Sequence, residues 1–135
     1  MRWFPYIAWT IALSSTLGSF IMSRVLGFPP CELCWYQRIL MFPLVSILTV
    51  GILKKDKNLP LYVLPLSIAG LAVAAYHNLL YYGVIPQSVS PCTFGVSCTD
   101  VQLELLGFIT IPFLSLIAFA IINFCMALMF RGNKK

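Results

Sequence analysis

Charged side chains cut the chain into four long apolar runs. Trp3 to Ser23 carries no charge, a second uncharged run lies between Arg38 and Lys54, a third begins near Leu59 and ends near Gly83, and a fourth runs from about Gly107 to Phe130. A helix needs roughly 20 apolar residues to cross about 30 Å of hydrocarbon. Each run therefore predicts a membrane span, at about 4–23, 33–53, 59–82 and 107–130. The second must start ahead of Arg38, because the fifteen residues from Ile39 to Leu53 make only about 22 Å of helix. The predicted fold is all-α: a polytopic membrane four-helix bundle forming a single domain over 1–135, with a loop at 83–106.

Composition excludes an ordinary soluble domain: 60% of residues are hydrophobic, 10% are charged, and the mean hydropathy is +0.91. The first run is too long for the apolar region of a signal peptide, lacks a small-x-small cleavage site and is followed by Arg24. It reads as an uncleaved first span.

Charge sets the expected orientation. Arg2, the cluster Lys54, Lys55 and Lys57, and the tail Arg131, Lys134 and Lys135 fall on one side. Arg24 and Arg38 are the cations of the other, with Glu32, Asp100 and Glu104. By the positive-inside rule both termini are cytoplasmic and the loops Arg24–Gln37 and Gly83–Leu106 face outward. The net charge of +5 reflects topology and attraction to anionic lipid, and is no evidence for nucleic acid.

Small residues recur four apart, as in Ser15/Ser19, Ser14/Gly18 and Gly70/Ala74, a spacing that lets helix backbones approach closely. Pro43, Pro65 and Pro112 fall within the predicted spans, where proline kinks a helix and frees carbonyls.

Four of the five cysteines form two pairs, both in predicted outward loops, where disulfides persist. Cys31 and Cys34 make a CxxC after Pro29-Pro30. Proline suits the first position of a helix, so Cys31, Cys34 and Arg38 fall at i, i+3 and i+7 on one helical face. A thiolate there gains from the helix N-terminus and from Arg38, and the thiolate is the exchanging form. A structural disulfide or a zinc half-site is the alternative for such a motif. Cys92 and Cys98, with five residues between them in a Gly- and Pro-containing loop, close a small ring with little loop entropy at stake. Such an exposed disulfide suits exchange, with a plain loop staple as the alternative.

Arg38 sits at or just inside the membrane boundary, where a guanidinium either snorkels or has a partner. A ligand carbonyl that gains negative charge on reduction, such as a quinone oxygen, would want a fixed cation beside it. His77, the only histidine, falls in the outer half of the third span. It can relay protons, or it can be a neutral imidazole bonded to a neighbouring helix. Cys125, in the inner half of the fourth span, reads as an inert apolar side chain.

The run Cys31-Glu32-Leu33-Cys34-Trp35-Tyr36-Gln37-Arg38 resembles the CxLCxxxR signature of the DsbB family of membrane disulfide-generating proteins. Size and the short second loop look most like the BdbC branch of Gram-positive bacteria. The likeness extends to four spans, two outward pairs, His77, and Leu106-Gly107-Phe108 ahead of Pro112. It implies a protein-disulfide oxidoreductase of the plasma membrane, supporting disulfide formation in secreted proteins. A DsbA-like thioredoxin-fold oxidase (BdbD-like) would be reoxidised by Cys92–Cys98, with Cys92 as the residue attacked. Electrons would pass to Cys31–Cys34 and from Cys34 to a membrane quinone of the respiratory chain, a menaquinone or alternatively a ubiquinone. Arg38 and His77 would border its ring, and no metal is implied. In the best-known members the second pair is far apart in a loop with a surface helix; here only Thr93 to Ser97 intervene. Two other readings use the same thiols: a reductase passing electrons outward, since direction is set by potentials, and a non-enzymatic metal-binding membrane protein.

Overall fold

The computed structural model describes residues 3–25, 27, 32–84, 104–105 and 109–135. Its architecture is four antiparallel helices: α1 (Phe4–Arg24), α2 (Glu32–Lys54), α3 (Leu59–Tyr81) and α4 (Ile111–Lys134). All four are long and apolar enough to cross a membrane. They form a ring in which α1 packs on α2 and α4, and α3 packs on α2 and α4.

Local chemistry starts and stops these helices. Pro5 and Pro60 occupy the first turns of α1 and α3, where the missing N–H costs nothing. At the end of α3, Gly83 takes a φ of +79°. That geometry lets Gly83 N–H donate to the Leu80 carbonyl and Val84 N–H to the Leu79 carbonyl, closing the orphan carbonyls of the last turn. The same pattern ends α2, with Lys55 left-handed at φ +53° and Asp56 N–H donating to the Gly51 carbonyl. Asp56 then accepts from Asn58 N–H at 2.8 Å, an Asx turn that leads into α3.

Three hydroxyls of the serine- and threonine-rich α1, those of Thr10, Thr16 and Ser23, bond within the helix. Thr10 donates to the Tyr6 carbonyl and Thr16 to the Ala12 carbonyl, each at 2.8 Å, so these side chains enter apolar surroundings without an orphan donor.

The main core holds Leu44 and Leu48 of α2, Val63 of α3, and Phe119, Ile122 and Met126 of α4, with Ala8 and Ala12 of α1 wholly buried against them. Outside, large side chains such as Leu53 and Phe124 are exposed, as a lipid-facing surface requires. Gly70 and Ala74 are both buried on α3. A Cβ at Gly70 would overlap the Phe119 ring, so this small residue sets the approach of α3 to α4.

Polar clamps tie helix pairs together. Ser67 donates to Asn123 Oδ1 at 2.9 Å, and Asn123 Nδ2 returns a bond to the Ser67 carbonyl at 3.1 Å. Trp9 Nε1 donates to Thr49 Oγ1 at 2.8 Å across α1 and α2. Such interhelical bonds average about 0.6 kcal/mol in membrane proteins. Asn133 bonds the Lys57 carbonyl, which brings the end of α4 to the turn between α2 and α3.

Ahead of α4 the chain forms a two-stranded antiparallel ribbon, β1 (Glu104–Leu105) with β2 (Ile109–Thr110), in which Glu104 faces Thr110 and Leu105 faces Ile109. The ribbon puts Pro112 in the first turn of α4. The expectation that Pro112, within the fourth span, kinks the helix and frees a carbonyl is therefore corrected, because the first turn has no such bond to lose. Pro43 and Pro65 do lie inside α2 and α3.

Candidate redox and ligand site at the start of the second helix

α2 opens at Glu32, so Cys34 is its third residue and Arg38 lies one turn further on, on the same face. Cys31, Cys92 and Cys98 lie outside the described residues. Gln37 and Arg38 are consecutive, and successive helix residues point about 100° apart. They accordingly reach different neighbours.

Arg38 turns toward α1. Its Nε donates to Ser19 Oγ at 2.6 Å, and its Nη2 donates to the Ser19 carbonyl at 2.7 Å and to Ser23 Oγ at 3.0 Å. The guanidinium carbon stands 5.8 Å from the Phe20 ring centroid and 5.4 Å from that of Trp35, within cation–π range. Phe20 in turn stacks on Phe42 with centroids 5.2 Å apart. Arg38 is 9% exposed, and these bonds pin it to α1. These bonds use Nε and Nη2, leaving Nη1 without a bond among the described residues.

Gln37 turns toward α3. Its Nε2 lies 3.2 Å from His77 Nδ1. Both side chains are buried, His77 at 2% exposure. An unprotonated Nδ1 accepts from the Gln37 N–H in this arrangement.

Between α1, α2 and α4 lies a cavity of about 380 Å³, within the usual range for a small-molecule site. From α2 it is lined by Cys34, Gln37 and Arg38, with Phe42 below. From α1 come Ser14, Gly18 and Ser19, and from α4 Leu114 and Phe119. Ser14, Gly18 and Leu114 are exposed, so the mouth opens sideways between α1 and α4. His77 is not among the described lining residues; it meets the cavity through Gln37.

Cys34 and Arg38, singled out in the sequence, thus share one cavity. Cys125 is a buried thiol in the main core, apart from this site. Sequence reasoning did not find Gln37, or Ser19 and Ser23 as the partners of Arg38. Ser19 stood out only as a small packing residue, although Ser19 and Ser23 are four apart at the helix end that faces Arg38.

The sequence model of the family described as "Disulfide bond formation protein DsbB" matches residues 1–129. The chain belongs to the DsbB family. Among relatives of this DsbB-family chain, the "Disulfide bond formation protein C" of Bacillus subtilis (strain 168) is 44% identical over 131 residues, covering 97% of this chain and 94% of the relative. A "Probable disulfide formation protein" of Metapseudomonas resinovorans is 44% identical, covering 86% and 81%. A "Probable disulfide formation protein C" of Halalkalibacterium halodurans is 42% identical, covering 92% and 90%. No solved structure matches the chain. DsbB membership and four membrane-length helices make this a disulfide-generating, multi-pass membrane oxidoreductase. They favour thiol redox chemistry over the metal-binding alternative.

Proposed function

We propose that this protein reoxidises an extracytoplasmic DsbA-like thioredoxin-fold oxidase (BdbD-like) and passes the electrons to a membrane quinone, a menaquinone or alternatively a ubiquinone. The partner's dithiol becomes a disulfide by exchange with Cys92–Cys98, with Cys92 attacked first; that pair is reduced and then reoxidised by exchange with Cys31–Cys34. A quinone, when bound, supplies a two-electron, two-proton acceptor, so that each disulfide made corresponds to one quinol.

The observation that carries this reading is the shared cavity of Cys34 and Arg38, open toward lipid. Its residues fit a quinone head group. Arg38 brings a fixed cation whose Nη1 is not used by the described bonds, Gln37 brings a carboxamide, and Phe42 an apolar ring, while the mouth between α1 and α4 suits an isoprenoid tail. Cys34 is the donor thiol of its pair, since it lines the cavity with Arg38. Arg38 holds negative charge beside it, in low dielectric where such stabilisation is strongest. His77 contributes through Gln37.

Sidedness follows from charge. Lys54, Lys55, Lys57, Arg131 and Lys134 gather at the end of the bundle where Asn133 meets the Lys57 carbonyl, and Cys34 sits at the opposite end of α2. The positive-inside rule makes the lysine-rich end cytoplasmic and the thiols extracytoplasmic, in the plasma membrane.

The test uses the purified protein with a reduced thioredoxin-fold oxidase and ubiquinone-1 or menadione. One partner disulfide formed per quinone reduced supports the reading. Partner oxidation without quinone consumption under anaerobic conditions would overturn it.

A further inference from the structure

The hydrogen bond between Gln37 and His77 joins the wall of the cavity to the interior of α3. Gln37 is the member that reaches the cavity, while His77 stands behind it at 2% exposure. Among the described contacts, the link from His77 to whatever fills the cavity is this carboxamide. A primary carboxamide neither loses nor gains a proton near neutral pH, so it is a poor link in a proton chain. It is well suited to presenting a donor and an acceptor in one plane. With Nε2 held by His77 Nδ1, that plane is fixed, and a second N–H and Oε1 remain. Fixing a rotamer-rich side chain beforehand removes an ordering cost that binding would otherwise meet.

We propose that Gln37 hydrogen-bonds the cavity's occupant beside Arg38, and that His77 is a positioning residue which acts by holding the Gln37 carboxamide rather than by relaying a proton. This rests on the quinone reading above.

His77 is the only histidine, so selective ¹⁵N-histidine labelling reports on this one ring. The expected spectrum shows an unprotonated Nδ1, perturbed by Gln37→Leu; a protonated Nδ1 would overturn the assignment even if no variant folded. Ubiquinone-1 affinity, read by quenching of tryptophan fluorescence, should fall about tenfold in Gln37→Leu and similarly in His77→Leu, as loss of one buried hydrogen-bond partner implies. The double variant should be no worse than either, because the two residues act as a unit. His77→Asn, which offers an acceptor but cannot carry a proton, should restore the affinity and turnover that His77→Leu loses. A His77→Asn protein that binds normally but has lost kcat would make His77 a relay and overturn the proposal. Wild-type protein that binds ubiquinone-1 alongside an unaffected Gln37→Leu would overturn this inference alone. Wild type that neither binds nor reduces quinone would overturn the quinone reading and this inference with it.

Discussion

Ser19 holds Arg38 with two of its own atoms: the hydroxyl accepts from Nε at 2.6 Å and the backbone carbonyl from Nη2 at 2.7 Å. A side-chain and a main-chain acceptor from one residue, with Ser23 Oγ beside them, form a cradle matched to the fork of a guanidinium. A point charge on a flexible stem has no such fit.

Arg38→Lys should therefore raise the KM for quinone by about tenfold or more, while exchange with the partner oxidase continues. Ser19→Ala should act in the same direction but less strongly, because the carbonyl and the Ser23 hydroxyl still hold the guanidinium. Steady-state quinone kinetics check both. An unchanged KM in Arg38→Lys and in Arg38→Ala would show that the guanidinium serves only α1.

Cys34→Ser should abolish quinone reduction and leave the protein in the membrane, since the hydroxyl occupies the same place but does not ionise to a nucleophile near neutral pH. Quinone absorbance read against a membrane-fraction immunoblot makes the check. Turnover at the wild-type rate would mean that another thiol is the donor.

Gly18 lines the cavity, and a Cβ built on it meets nothing within 4 Å. Gly18→Leu should consequently fold, fill part of the cavity and weaken quinone binding at least about tenfold, with thiol exchange at the loop pair unimpaired. Titration of ubiquinone-1 into the variant is the measurement, and unchanged binding would move the ligand elsewhere.

Gly70→Ala should destabilise the bundle by about 1–3 kcal/mol, the usual cost of forcing extra volume into a packed interior. The clash is with the ring of Phe119, which is wholly buried and also walls the cavity. Unfolding in mixed micelles should show the loss. Quinone affinity should change with it, whereas destabilisation without any change in affinity would mean that Phe119 yields away from the cavity.

The helices were legible because lipid imposes one simple requirement, an uncharged run of bilayer length, and the charges mark where each run ends. Arg38 was legible as an anomaly for the same reason: span two is too short unless the arginine is drawn into it. The identity of its partner was not legible. Ser15, Ser19 and Ser23 at fourfold spacing mean close packing or hydrogen bonding equally well until the facing helix is known. Gln37 was hidden more deeply, since a glutamine next to an arginine carries no sequence pattern of its own, and only the crossing of α2 and α3 sets it against His77. Pro112 was misread because the ribbon of 104–105 with 109–110 delays the start of α4, and pairing of two-residue strands leaves no periodicity to detect. The reading of Cys31, Cys92 and Cys98 falls outside the described residues.

The ring of helices has one seam unlike its others. α1 and α2 are joined by seven residues, α2 and α3 by four, and α3 and α4 by the segment that includes the ribbon. The first and last helices touch without any direct covalent connection, and it is along their contact that the cavity has its mouth. Among the described residues, parting them breaks no turn and costs the side-chain contacts along that one line. The chain has in effect been closed into a cylinder with its two free edges left abutting, and a bulky lipid-dissolved molecule can slip between those edges while the remaining three joints stay tied.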